Sequence, residues 1–320
     1  MRMSKAKATQ NRNARLLQVV VLLLIVLLLV PQVSNIKRSV SLLGSANVWW
    51  VVGAVLVFTL TYVWATVCYK ALSFKKLSFT KTLVVQWAGG FANKLVPAGL
   101  GSLSLNTLYL VKQGNSQGHA GTIALVNNAL GWLSSTLLLV SGFLFWDQSA
   151  ELRQALQPSP ARIAYGLLGI ILIYVGAKWL YATKPRVAKK INEWKSQALH
   201  ALKQYVKKPS VLCRALCAQL LITATYCVVL IASAMALNIS IDFVQALFVV
   251  SFGVALGSSI PTPGGIGGVE AGMVVVLTLL DIPTDMAIAI AFLFRLATFW
   301  LPLIPGYVAY RYSLVRKYYT

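Results

Sequence analysis

Three ionisable residues, Lys94, Glu270 and Arg295, stand where the surrounding sequence is almost wholly apolar. An ion in hydrocarbon survives by pairing, by facing a wet cavity, or by serving a function there. Glu270 follows the run "PTPGGIGG", Pro261–Gly268. Proline removes a backbone donor and glycine admits turns barred to other residues, so this run breaks a helix. A helix restarting near Val269 would present free N–H groups and the positive end of its dipole, which suits an anion such as a phosphate. Glu270 has a plainer role open to it, as a cap on that helix start. Gly268 and Gly272 likewise form a small-xxx-small pair for close helix packing. An earlier stretch, "NKLVPAGLG" (Asn93–Gly101), has the same character, with Lys94 ahead of its turn.

The candidate binding residues around the first break are Asn93, Lys94, Pro97, Gly99, Gly101 and Asn106, joined by Asn127 and Asn128 in the next apolar run. Around the second they are Pro263, Gly264, Gly265, Gly267, Gly268 and Glu270, with Arg295 one run later. The asparagines would either donate to a polar ligand or tie helices together. Lys178 and Arg214 lie near the ends of their runs and can snorkel.

No catalytic set emerges. There is no HExxH, no Ser-His-Asp candidate and no carboxylate pair facing a likely site, and His119 and His200 fall in or beside basic loops. The glycine run is no Walker loop, because no Lys-Ser/Thr follows, and it has no strand context for a dinucleotide fingerprint. Cys68, Cys213, Cys217 and Cys227 lie in apolar segments without a His, Asp or Glu to complete a metal site, and read as small packing residues. The expectation is a non-enzyme without cofactor or metal.

The elements that must position these residues are membrane helices. Of 320 residues, 58% are hydrophobic and 11% charged, with mean hydropathy +0.72; soluble domains carry roughly 25% charge. Apolar runs of about twenty residues recur, the length needed to span a bilayer. The first, Leu16–Val33, lacks a small-residue cleavage site and reads as a retained helix. The net charge of +22 comes from Lys and Arg in the loops. It argues for topology and for attraction to anionic lipid at the cytoplasmic face, not for nucleic acid.

The basic segments place the N-terminal arm, Lys70–Lys81 and the loop 182–208 on the cytoplasmic side, with the loop 147–160 outside. Residues 82–111 must then enter and return on one side, as a re-entrant hairpin; the alternative is one long kinked span. Residues 243–280 would do the same from the opposite side, and the last span, 286–310, returns to Arg311, Arg316 and Lys317 inside. Lys37 and Arg38 are the exception on the outer side.

An ungapped shift of 166 residues lays Pro97-x-Gly-x-Gly over Pro263-x-Gly-x-Gly and brings the flanking spans into register. The expected fold is an all-α polytopic membrane protein, a single domain over 1–320, built as two inverted repeats. They cover 1–146 and 161–312, each with three spanning helices and one re-entrant broken-helix hairpin. In such architectures the hairpin tips meet at mid-depth, where secondary transporters hold their substrates. Lys94 and Glu270 would then be neighbours, with Arg295 the other candidate partner of Glu270.

"PTPGGIGGVEAG" followed by "AIAIAFLFRLATFWLPLIPG" (Ala287–Gly306) resembles the C-terminal signature of the flippase-like membrane domain of lysylphosphatidylglycerol synthases and its stand-alone relatives. "NKLVPAGLGSLSLNTLYLVKQG" is a weaker match to its first half: Leu103 and Asn106 stand where the family often carries an acid and an arginine, and Asn127 and Asn128 replace a Glu-Arg pair. The resemblance implies a multi-pass protein of the plasma (inner) membrane, with both termini cytoplasmic. It would move lipids with polar or anionic headgroups between leaflets, and would lack the aminoacyl-transfer domain of the full synthases. The alternatives are an intramembrane lipid-modifying enzyme and a non-catalytic scaffold of a glycolipid pathway. The expected partners are a membrane lipid substrate, anionic lipids and a lipid-biosynthesis protein.

Overall fold

A computed structural model of the protein describes residues 42–96, 100–145, 203, 205, 207–258 and 262–319. The expected first span, the outer loop 147–160, Lys178 and most of the loop 182–208 lie outside these residues. All regular secondary structure described is helical: α1 (Val48–Leu72), α2 (Phe79–Leu95), α3 (Leu100–Lys112), α4 (Gln117–Phe145), α5 (Pro209–Met235), α6 (Phe243–Ser258), α7 (Gly268–Thr278), α8 (Thr284–Arg295) and α9 (Leu303–Val315). A π-helical turn, Leu296–Trp300, joins α8 to α9, so Thr284–Val315 is one apolar span. Together with α1, α4 and α5 it makes four helices, among the described residues, long and apolar enough to cross a membrane.

α2, α3, α6 and α7 are different. They have 17, 13, 16 and 11 residues, about 25, 20, 24 and 17 Å at about 1.5 Å per residue, short of a ~30 Å hydrocarbon core. α2 and α3 run antiparallel. Thr82 Oγ1 and the Tyr109 hydroxyl are 3.0 Å apart near one end, Gln86 donates to Asn106 Oδ1 at 2.8 Å, and Ser102 Oγ reaches Asn93 Oδ1 at 3.5 Å near the other. Glycine permits the approach: a Cβ on Gly101 would run into the Ala92 carbonyl. α6 and α7 close in the same way, with Gly253 against the backbone of Met273.

α1 and α5 are antiparallel partners. The Asn47 N–H donates to the Ala236 carbonyl, the Phe58 and Tyr226 rings meet edge-on with centroids 5.5 Å apart, and Cys68 Sγ contacts the Ala215 carbonyl. Beyond the end of α1, the Tyr205 hydroxyl donates to the Leu72 carbonyl at 2.6 Å. Burial raises the pKa of that hydroxyl above its ordinary value, so the donor proton stays in place at physiological pH. α9 packs on α2 through Gly306, whose Cβ would stand 3.2 Å from the Trp87 carbonyl. α6 meets α4 at Gly142, opposite Val244 and Leu247.

The two ends differ in charge. Leu72, Leu77, Tyr109, Leu110, Tyr205 and Tyr319 cluster at one end, beside Lys70, Lys75, Lys76, Lys112, Lys207 and Arg316. Leu237, Ile241, Leu280 and Ile282 cluster at the other, where Asp242, Asp281 and Asp285 lie. Cys68 and Cys227 are buried as packing residues should be, but Cys213 and Cys217 are exposed, which corrects the expectation for that pair.

The tight α2–α3 contact sets a first test. Gly101→Val should destabilise the protein by about 1–3 kcal/mol, the usual cost of overpacking. Gly121→Ala, in a helix with no described atom within 4 Å of the new Cβ, should be neutral or gain up to about 1 kcal/mol. Thermal unfolding of both variants in detergent checks the pair.

Candidate functional site

The second break, between α6 and α7, is assembled from its glycines. Gly264, Gly265 and Gly267 have φ of 62°, 68° and 83°, the left-handed region that residues with a Cβ avoid. The short 3-10 turn Pro263–Gly265 thus reverses the chain into α7, which begins at Gly268 rather than at Val269. Its start is not left open. Glu270 Oε2 accepts from the Gly267 N–H at 2.8 Å, the reciprocal half of a capping box.

The other carboxylate oxygen carries the main interaction of the site. Arg295 Nε lies 2.6 Å from Glu270 Oε1, and Arg295 Nη2 donates to the Gly264 carbonyl at 3.0 Å. Arg295 is 9% exposed and Glu270 28%. One guanidinium therefore ties α8 both to the turn and to the start of α7. The acid serves as helix cap and as ion-pair partner at once.

Lys94 approaches the same turn from α2. A Cβ on Gly264 would collide with Phe299 Cε2 and lie 3.1 Å from the Lys94 carbonyl, so the ends of the two helix breaks touch. The Lys94 ammonium does not pair with Glu270, contrary to the expectation of a Lys94–Glu270 contact. It rests 5.5 Å from the Phe299 ring centroid and 6.0 Å from that of Phe58, buried and with no hydrogen-bond acceptor among the described residues. Arg295 lies over the same Phe299 ring at 4.3 Å. Cation–π contacts contribute roughly 0.5–2 kcal/mol each, whereas burying an ion costs several kcal/mol. Two rings do not offset that cost, and an anionic oxygen would.

The cluster sits near the middle of the α1 span. Phe58 is ten residues from the start of α1 and fourteen from its end, about 15 and 21 Å along the axis. Arg295 is the twelfth residue of α8, counted from the acidic end.

The remaining predicted residues divide. Asn93 receives the Ser102 hydroxyl, and Asn106 is 2% exposed, held by Gln86 and the Ser102 carbonyl inside the α2–α3 pair. Asn127 Oδ1 accepts from Gln219 Nε2 at 2.9 Å and from Cys68 Sγ at 3.2 Å, tying α4 to α5 and α1. Cys68 is ten residues beyond Phe58 on α1, about 15 Å from the charged cluster. Asn106 and Asn127 thus join helices, and Asn128 is exposed beside Asn127. Pro97 and Gly99 lie outside the described residues. Phe58, Phe299 and Gln219 were not foreseen, because aromatics and a lone glutamine in apolar runs carry no positional signal. Pro302 was the one visible cue to the π-helical turn that carries Phe299: it has no N–H for the Thr298 carbonyl, and the Leu301 N–H bonds five residues back to Leu296.

The ion pair can be tested directly. Glu270→Gln alone should destabilise by about 3 kcal/mol, the lower end of the range for stranding a buried charge, because the acid is partly exposed. Adding Arg295→Met should cost less than the two single changes together. A double-mutant cycle on unfolding in detergent reads the coupling.

No curated protein matches the chain. The pattern of one membrane-domain family, described as "Lysylphosphatidylglycerol synthase TM region", runs over residues 15–306. It spans the α2–α3 pair, the glycine turn, the Glu270–Arg295 pair and Gly306, and the chain belongs to that family.

Proposed function

We propose that this protein moves a lipid with an anionic or phosphate-bearing headgroup between the two leaflets. The observation that carries the reading is the contact of two helix breaks at mid-depth around Lys94, Glu270 and Arg295. A headgroup cannot cross hydrocarbon bare. A polar path between two halves lets it cross while the acyl chains stay in lipid.

An inverted repeat underlies this reading. Corresponding helices α1/α5, α2/α6, α3/α7 and α4/α8 start 161, 164, 168 and 167 residues apart. The first of these pairs runs antiparallel, which is the relation an axis in the membrane plane imposes. The packing of α2 on α9 has its counterpart in that of α6 on α4, as the same axis requires. The α2–α3 and α6–α7 pairs are then re-entrant hairpins from opposite faces. The basic end is cytoplasmic in the cell membrane, with both termini on that side. The chain acts on lipid without covalent chemistry, and its partner is the lipid itself.

Topology is checked with single cysteines in a background lacking the four native ones. Lys76→Cys and Gln117→Cys, flanking the first hairpin, should react with an impermeant maleimide from the cytoplasmic side, and Ser240→Cys from the other. Labelling of the first two from opposite faces would make residues 82–111 a single crossing.

Function is checked by leaflet exchange of labelled lipids in proteoliposomes. The purified protein should exchange an anionic lipid faster than protein-free vesicles do, and Lys94→Gln should slow that exchange. Absence of exchange for every headgroup, with and without an ion gradient, would favour a scaffold.

A further inference from the structure

We infer that the site at the helix breaks recognises one singly charged phosphate oxygen, as in a phosphodiester headgroup, and that Lys94 is the residue that selects it. This rests on the lipid-binding reading above and adds the charge of the ligand. Of the three ions in the cluster, two cancel. Both carboxylate oxygens of Glu270 are engaged, one by Arg295 Nε and one by the Gly267 N–H, and Arg295 spends Nη2 on the Gly264 carbonyl. Lys94 is the one of the three left without an opposite charge among the described residues. Its three donor hydrogens meet two aromatic faces and no acceptor among the described residues.

The balance of charge limits what can bind. With Lys94 protonated the cluster carries a net charge of one, so a single negative oxygen neutralises it. A second negative charge would find no further free cation in the cluster and would face the Glu270 carboxylate. A zwitterionic headgroup would bring a cation into a place where Lys94 and Arg295 already lean on one phenyl ring. The Arg295 latch holds the turn through protein groups, the Glu270 carboxylate and the Gly264 carbonyl, so recognition and structure rest on different cations.

Lipid retained by the purified protein, read by native mass spectrometry, tests this. The protein is incubated at pH 7 with equimolar phosphatidylmethanol, phosphatidic acid and phosphatidylcholine. These headgroups carry one, about two and zero net charges, since a phosphomonoester loses its second proton near pH 6. Phosphatidylmethanol should be retained about ten-fold over each of the others, the effect of about 1.4 kcal/mol. Lys94→Met should bring the three to parity, and Lys94→Arg, which keeps the charge, should restore the preference. Equal retention by the wild-type protein, a preference for phosphatidic acid, or an unchanged preference in Lys94→Met would overturn the inference. Should Lys94→Met fail to elute as a folded monodisperse species, the wild-type order and the Lys94→Arg variant decide alone. Dimethyl phosphate, a phosphodiester without acyl chains, is added as competitor. Displacement of the lipid at equal concentration would assign the site to a free anion and overturn its assignment to a headgroup. Leaflet exchange on the same samples separates the two readings, because a charge preference without exchange removes transport and leaves the selection rule standing.

Discussion

Arg295 holds together parts that would not stay together in a bilayer by themselves. Broken backbone exposes polar groups that hydrocarbon cannot satisfy, and a carboxylate without a partner is more costly still. Through one planar guanidinium the Gly264 carbonyl and the Glu270 carboxylate are both answered, and the carboxylate in turn answers the Gly267 N–H. Arginine suits this task better than lysine because its donors are fixed in a fork and it stays charged. The turn, the start of α7 and the middle of the last span thereby become one unit.

Around that unit the polar residues sort by depth. At mid-depth they are ionic and meet aromatic faces. Nearer the basic end they are amides, hydroxyls and a thiol that bond to one another across helices. The second kind is ordinary helix adhesion, worth little per bond in membranes. The first kind costs more to bury and is therefore the better indicator of function. The division also explains why the protein contains so many asparagines in its spans without their forming one site.

Much of this was legible in the chain. The spans follow from apolar length, and the breaks from proline and glycine at Pro97–Gly101 and Pro263–Gly268. Glu270 was recognised both as a cap and as an ion, and it is both. Its partner was harder to name, because Lys94 and Arg295 are equally good partners until the turn has a shape. Here the turn decides in favour of Arg295, whose guanidinium meets both the Glu270 carboxylate and the Gly264 carbonyl. Phe299 could not be recognised by its own type, since a phenyl ring in "RLATFW" looks like any lipid-facing or core aromatic. Only the hydrogen-bond slip ahead of Pro302 puts it over Arg295. The asparagines were ambiguous as site markers for a similar reason. An amide serves a ligand or a neighbouring helix equally well, and the choice lies in tertiary distance.

The contact of α2 with α9 has a bearing on how the protein is made. Phe91, near the tip of the first hairpin, packs on Gly306, which follows it by 215 residues. At a synthesis rate of about 5–20 residues per second, that hairpin waits roughly 10–40 s for the surface it will rest on. During that interval a short helix bearing Lys94 must be sheltered by something else, such as the insertion machinery, α1 or the headgroup layer. The order of synthesis thus leaves the charge-bearing arm without its α9 contact until Gly306 has emerged from the ribosome.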